Sequence, residues 1–192
     1  MYLSILILAE LTRGPAHGYE LRRRVSSTMG GRVNLNGNTL YPALRRFEAD
    51  GTLIKRVEQQ SGFPDRLVYE LTETGRAKLN DMLLDFDDTL AQSDEEFLTR
   101  VAFFNLVDPP DAVRILDTRT NALERRIAFL DGLEESTPTD LDGEGAYSQR
   151  GRMWQESVLD YSRDLVRAER RWLNDLRGQL DRSMRNAKNP RA

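Results

Sequence analysis

The sequence predicts a mostly α-helical protein with one small β hairpin, and three patterns carry that reading. Residues 38–51, NTLYPALRRFEADG, repeat apolar side chains at helical spacing. Residues 53–71 hold two short alternating runs around a polar segment. Beyond residue 79, apolar side chains recur every three or four positions with no alternation.

Taken in order, residues 1–11 and 18–28 supply two helices, parted by the breaker Arg13-Gly14-Pro15. His17, the only histidine, stands at the second helix start, where a packed or capping role is expected. Of Arg22, Arg23 and Arg24, one or two are expected to touch a backbone and the rest to be solvated. The third helix is expected to start near Asn38, because Pro42 must lie in its first turn or so and Asn38 is a good N-cap. Gly51 ends it, as a glycine just past a helix often does. At about 100° per residue, Leu40, Leu44 and Phe47 fall on a side that must be buried, while Asn38, Tyr41, Pro42, Arg45 and Ala49 fall opposite.

Two strands follow, 53–57 and 67–71, joined by 58–66 with Gly62, Phe63 and Pro64 and carrying Lys55, Arg56 and Arg66. Three helices and then a two-stranded hairpin are a winged helix-turn-helix, here spanning 1–78. A helix face presenting an amide, a phenol and a guanidinium suits a major groove, and hairpin cations suit phosphates. Asn38, Thr39, Tyr41, Pro42, Arg45, Arg46, Lys55, Arg56 and Arg66 are therefore the candidate DNA contacts. Arg46 lies to the side of the face and is expected to reach a phosphate, and Thr39 either contacts DNA or supports the helix start.

Residues 79–192 read as helix throughout, a C-terminal antiparallel helical dimerisation domain. Leu79, Leu83, Phe86 and Leu90 mark a connecting helix of about 74–91. Pro109-Pro110 opens a helix of about 110–135 carrying Val113, Leu116, Thr120, Leu123, Ile127 and Leu130. A loop at 136–146 then leads to a long helix of about 147–186, with one stripe of Val158, Leu165 and Trp172 and another of Leu159, Val166, Leu173 and Leu180. Two stripes are too wide for one partner helix, so a second copy is the natural cover, and packing within one chain is the alternative. Leu116, Leu123, Val158, Leu159, Leu165, Val166, Trp172 and Leu173 are the expected dimerisation residues. Phe103, Phe104, Trp154 and Tyr161 either line a pocket for a flat apolar effector or belong to the core.

Composition narrows the function classes. The net charge of −3 divides unevenly: residues 1–78 hold twelve Lys or Arg against eight Asp or Glu, and the remainder hold sixteen against twenty-three. The half with the hairpin is the basic half, as a DNA-binding region joined to an acidic assembly region would be. One histidine and no cysteine leave no nucleophilic relay and no thiolate metal site, so neither an enzyme nor a cofactor is expected. Asp85, Asp87, Asp88, Asp94, Glu95 and Glu96 are read as a solvated face and not as a metal site. The apolar start lacks a basic flank and a small-residue cleavage site and is too short to span a bilayer, which places the chain in the cytoplasm without a membrane partner.

The chain resembles the PadR family of transcriptional regulators. The resemblance rests on the leading apolar helix, HGYEL at His17 to Leu21, TLYPALRRFEADG at Thr39 to Gly51, VYELT at Val68 to Thr72 and the pair Gly75-Arg76. It covers about residues 1–80, and the remainder is similar to the longer PadR type with a helical C-terminal domain like that of virulence-activator relatives. The resemblance implies a homodimer on double-stranded operator DNA, acting as a repressor released by a small aromatic or drug-like effector. The activator type is the other sign it allows, and a winged-helix protein-interaction module without DNA binding is the rival class. In the hairpin the sequence departs from the family, with Asp65 and Phe63 where more basic residues are usual.

Overall fold

The computed structural model describes residues 1–59, 65–136 and 146–188. Its contacts divide the chain into two compact units, Met1–Ala112 and Val113–Ala192. That division falls well beyond the expected boundary at 78/79, because two further helices pack into the first unit.

The first unit is built around α1 (Tyr2–Leu11), whose residues from Ile5 onward are all buried. An unbroken apolar run hides on every side, so this helix is the hub against which the neighbouring elements pack. Glu10, buried with it, is held by Thr28 Oγ1 and by Arg13 at 3.2 Å. Next come β1 (Ala16–His17) and α2 (Gly18–Thr28). His17 caps α2, its Nδ1 accepting from the Glu20 amide at 3.2 Å. Gly30 and Gly31, at φ +55° and +77°, turn the chain out of α2 through a conformation that side chains resist.

The third helix, α3 (Gly37–Ala49), starts earlier than the expected Asn38. Asn36 is its N-cap, with Oδ1 accepting from the Thr39 amide at 3.0 Å. Pro42 thereby lies in the second turn, where the bond it cannot donate is one to the exposed Asn38. Gly51 leaves the helix at φ +74°. Strands β2 (Leu53–Glu58) and β3 (Arg66–Leu71) pair antiparallel from Leu53↔Leu71 to Glu58↔Arg66. The sheet has three strands, not two, because β1 adds Ala16↔Tyr69 on the other edge of β3. Gly62, Phe63 and Pro64 of the hairpin segment lie outside the described residues, as does 137–145, most of the expected 136–146 loop.

The expected connecting helix of 74–91 stops early: α4 (Glu73–Leu84) is capped by Thr72 and ends at Asp85. A 3-10 turn (Leu90–Gln92), α5 (Asp94–Ala102) and a second 3-10 turn (Phe104–Leu106) follow, none of them read from the sequence. Arg100 of α5 explains the stop. Fully buried, it donates to the carbonyls of Leu83 at 3.2 Å, Met82 at 3.1 Å and Asp85 at 2.6 Å, closing the last turn of α4 from outside. It also pairs with Glu96 at 2.8 Å and lies over the Phe86 ring. Glu96 is thus buried, not part of a solvated face; it takes the Tyr2 amide at 2.8 Å and the Met1 amine at 2.9 Å besides Arg100. Burial pushes its pKa up, but those three donors outweigh burial and hold it below the ordinary carboxylate value.

The second unit pairs α6 (Pro109–Ser136) with α7 (Ala146–Lys188). Ion pairs run from Asp117–Arg177 at one end, through Arg119–Glu169 and Glu124–Arg170, to Asp131–Arg163 at the other, so the two helices are antiparallel. Arg119 is buried and grips Glu169 through two bonds, at 2.7 and 2.9 Å. The two stripes of α7 meet different fates. Val166 and Leu173 are buried, as are Leu116 and Leu123 of α6, and Leu159 is half-buried; these five are covered within the chain itself. Val158, Leu165 and Trp172 remain 63%, 49% and 36% exposed.

Candidate nucleic-acid interface

The third helix sets the interface, since its inner residues Leu40, Leu44 and Phe47 are buried and fix which side faces out. Asn38, Tyr41, Pro42, Arg45 and Ala49 are all exposed on that outer side, as helical spacing places them. Thr39 turns inward to the cap, with Oγ1 3.2 Å from Asn36 Oδ1, so its hydroxyl supports the helix start. Arg46 leans the other way, its guanidinium 3.4 Å from Ser4 Oγ and over the Phe47 ring at 5.3 Å.

Tyr41 and Arg45 differ in how firmly they are held. The Tyr41 ring lies across the start of α2, so close that a methyl group on Gly18 would stand 2.9 Å from its hydroxyl oxygen. Gly37 borders the other side of the same ring, where an added methyl would stand in ordinary contact at 3.6 Å. Two glycines therefore set the ring's position while leaving it half-exposed. Arg45 makes no hydrogen bond or ion pair among the described residues, which leaves its whole fork for a ligand.

On the hairpin the cations are partly spoken for. Lys55 pairs with Glu48 of α3 at 2.7 Å, and this acid raises its pKa. Arg56 pairs across the ladder with Glu70 at 3.0 Å, while Arg66 is exposed with no hydrogen bond or ion pair among the described residues. Beneath Lys55 lies its register partner Tyr69, whose phenol is pushed above its usual pKa by burial, with Lys55 pulling it back and Glu48 and Tyr41 adding to the rise. The sequence reading named neither Glu48 nor Tyr69 for this surface. Both are legible only once α3 and β2 are placed side by side.

A polar node joins α3, the hairpin and α4. Asp50 accepts from Lys78 at 2.6 Å and from Thr52, which lowers its pKa to about 2. The Thr52 carbonyl accepts from the Thr72 amide at 3.2 Å and the Thr72 hydroxyl at 3.0 Å. Gly75 touches the same carbonyl so closely that an added methyl would stand 2.2 Å from it.

The effector candidates separate. Phe103 is buried and Phe104 half-buried in the first unit, whereas Trp154 and Tyr161 are exposed on α7. Trp154 alone of the four lines a described groove, of 480 Å³, with Leu133, Gln155, Val158 and Leu159. Among the described residues no three His, Cys, Asp or Glu side chains are grouped to hold a metal, and no helix is long and apolar enough to cross a membrane.

Residues 7–81 match the Transcriptional regulator PadR-like family, and residues 95–181 match the Virulence activator alpha C-term family. The chain is 24% identical over 134 residues to the negative transcriptional regulator PadR of Bacillus subtilis, covering 70% of this chain and 72% of that protein. It is 33% identical over 79 residues to a Mycobacterium tuberculosis protein named as the probable transcriptional regulator Rv1176c, covering 41% and 42% of the two. Among solved structures, Bacillus subtilis PadR in complex with operator DNA is similar at 18% identity and a TM-score of 0.45, covering 94% of this chain and 99% of that one.

Proposed function

Because the chain belongs to the PadR-like family of transcriptional regulators, we propose that it is a homodimeric repressor that reads operator DNA through the outer face of α3. The observation that carries the reading is that face itself: Asn38, Tyr41 and Arg45 point outward together, and Arg45 makes no hydrogen bond or ion pair among the described residues. An arginine fork fits the paired acceptors of a guanine in the major groove, and an amide fits an adenine. The hairpin cations Arg56 and Arg66 serve the flanking phosphates, and Lys55 joins them if DNA displaces Glu48.

A second copy covers the Val158, Leu165 and Trp172 stripe together with Trp154 and Tyr161, all spaced by three, four or seven along one exposed face of α7. The pair would present two recognition helices to successive major grooves about 34 Å apart. The groove at Trp154 belongs to this dimer face, so no separate effector site is proposed. The protein acts in the cytoplasm, where the DNA is, and as a regulator instead of an enzyme. The match of residues 95–181 to a virulence-activator family favours one second reading, an activator built on the same DNA contacts.

The test is fluorescence anisotropy against the duplex upstream of the chain's own coding region and against a scrambled duplex, across a salt series. Selective binding that persists as salt rises is expected, with Arg45→Ala costing about 1–3 kcal/mol. Weak binding to both duplexes that vanishes with salt overturns the operator reading. Sedimentation of Leu165→Glu tests the dimer, and an intact dimer would refute the proposed face.

A further inference from the structure

The segment assigned to the operator carries no net charge. Residues 37–71, which hold α3 and the hairpin, contain five Lys or Arg and five Asp or Glu. Attraction to a duplex of arbitrary sequence grows with the number of phosphates that free cations can neutralise, so the placing of those acids decides how strong it is. Two of them are set against the cations of β2. Glu48 lies seven residues beyond Tyr41, on the same side of α3. Both its carboxylate oxygens meet Lys55 Nζ, at 2.7 and 2.9 Å. Glu70 meets Arg56 at 3.0 Å. Of the five cations, Arg45 and Arg66 make no hydrogen bond or ion pair among the described residues.

From this arrangement we infer that Glu48 is a specificity-determining residue: it occupies Lys55 as an internal counter-ion and so withholds that cation from DNA of arbitrary sequence. A phosphate that takes Lys55 must displace a carboxylate, and the freed carboxylate is then left on the DNA-facing side with no cation of its own. A random duplex offers little in return, since binding without sequence preference is almost wholly electrostatic. An operator offers base edges to α3 as well, and those contacts fix where the hairpin lies over the backbone. A loose complex on random DNA can shift until a free Lys55 meets some phosphate, whereas a docked α3 allows Lys55 only the phosphate its position permits. Covering Lys55 therefore weakens random binding more than operator binding. The Arg56–Glu70 pair lies wholly within the hairpin and is wetter, with its arginine 68% exposed against 34% for Lys55. Only Glu48 couples a hairpin cation to the helix that reads the groove. This inference rests on the operator reading and adds to it a residue that suppresses the background of non-operator binding.

The test measures wild type, E48Q, E48A, K55Q and E48Q/K55Q by anisotropy against operator and scrambled duplexes, each across a salt series. Alanine is a good helix former, so E48A serves as a second removal of the acid without disturbing α3. E48Q and E48A should bind the scrambled duplex about three- to tenfold more tightly than wild type, with a salt slope steeper by about 1. Their gain on the operator should stay under about twofold, so the preference for operator falls. With K55Q already in place, E48Q should add nothing, because the acid acts through Lys55. Equal gains on both duplexes would make Glu48 a general brake and overturn its role in specificity. A gain that survives in the K55Q background would mean bare repulsion of DNA, and would overturn the exchange with Lys55. Unchanged or weaker binding by E48Q and E48A would overturn the inference outright. Each of these results leaves the operator reading standing. Wild-type protein that binds both duplexes alike refutes the operator reading, and this inference with it.

Discussion

Arg100 is the side chain whose loss should cost the first unit most. It is fully buried, donates to four carbonyls and pairs with buried Glu96. Arg100→Met preserves much of the volume but leaves the Met82, Leu83 and Asp85 carbonyls without the donor that ends α4. Glu96 keeps the Tyr2 amide and the Met1 amine, so its charge is not abandoned, and the loss should fall short of that for a wholly orphaned ion. Unsatisfied buried acceptors cost about 1–3 kcal/mol each. Three carbonyls that relax in part, plus the lost ion pair with Glu96, give about 3–5 kcal/mol, the range found when one partner of a buried pair is removed. For a unit of this size about 4 °C accompanies each kcal/mol, so calorimetry should find its melting point lower by about 12–20 °C. Arg100→Lys should recover less than half of that, because one ammonium cannot reach acceptors spread around a planar fork. A loss under about 4 °C for Arg100→Met would refute the claim that Arg100 holds the end of α4.

Three further outcomes follow from the same packing. Gly75→Ala should destabilise by about 2 kcal/mol, since crowding the Thr52 backbone carbonyl at 2.2 Å outweighs the helix preference of alanine; a chemical melt that shows a gain would contradict the contact. Gly18→Ala meets only the tip of a flexible ring, so the fold should survive while Tyr41 is pushed aside and operator affinity falls about tenfold, roughly 1.4 kcal/mol. Unchanged affinity by anisotropy would mean that Tyr41 touches no DNA. Asp50 has its folded pKa lowered to about 2 by Lys78 and Thr52, so its stabilisation is present above the unfolded value near 4 and is lost as pH falls toward 2. Thermal melts of Lys78→Met should therefore depend less on pH across that window than wild type, and parallel profiles would dismiss the ion pair.

How much could be read in advance differed by residue, for physical reasons. The outer face of α3 was legible because Leu40, Leu44 and Phe47 obey a period that burial enforces, and their opposites are then exposed by geometry. The helix start was misplaced by two residues because two asparagines, Asn36 and Asn38, both satisfy the capping rule, and only the backbone decides which one turns. β1 was invisible: two residues cannot display an alternation, and Ala16 joins the sheet only because Tyr69 lies opposite. α5 was missed because its buried side includes Glu96 and Arg100, a pair that reads as solvent-facing until its partners are known. On α7 the two stripes were seen, but which one the chain covers depends on its pairing with α6, whose Leu116 and Leu123 are buried, as Val166 and Leu173 are.

The interface owes its shape to polar contacts as much as to the core. The end of α3, the start of β2 and the cap of α4 meet at Thr52, held by Asp50, Thr72 and Lys78, with Gly75 pressed against the same carbonyl. Glu48 and Lys55 form a second tie between α3 and the hairpin a few residues away. An apolar contact alone would let a two-stranded hairpin rock on the helix, because hydrophobic attraction has no direction. Hydrogen bonds do, and two sets of them at separate points restrict rotation as well as distance. The outer face of α3 and the hairpin are therefore held at a fixed spacing, which would lower the ordering cost of binding a partner that spans both. Acid that protonates Asp50 should accordingly loosen the hairpin before it unfolds the core.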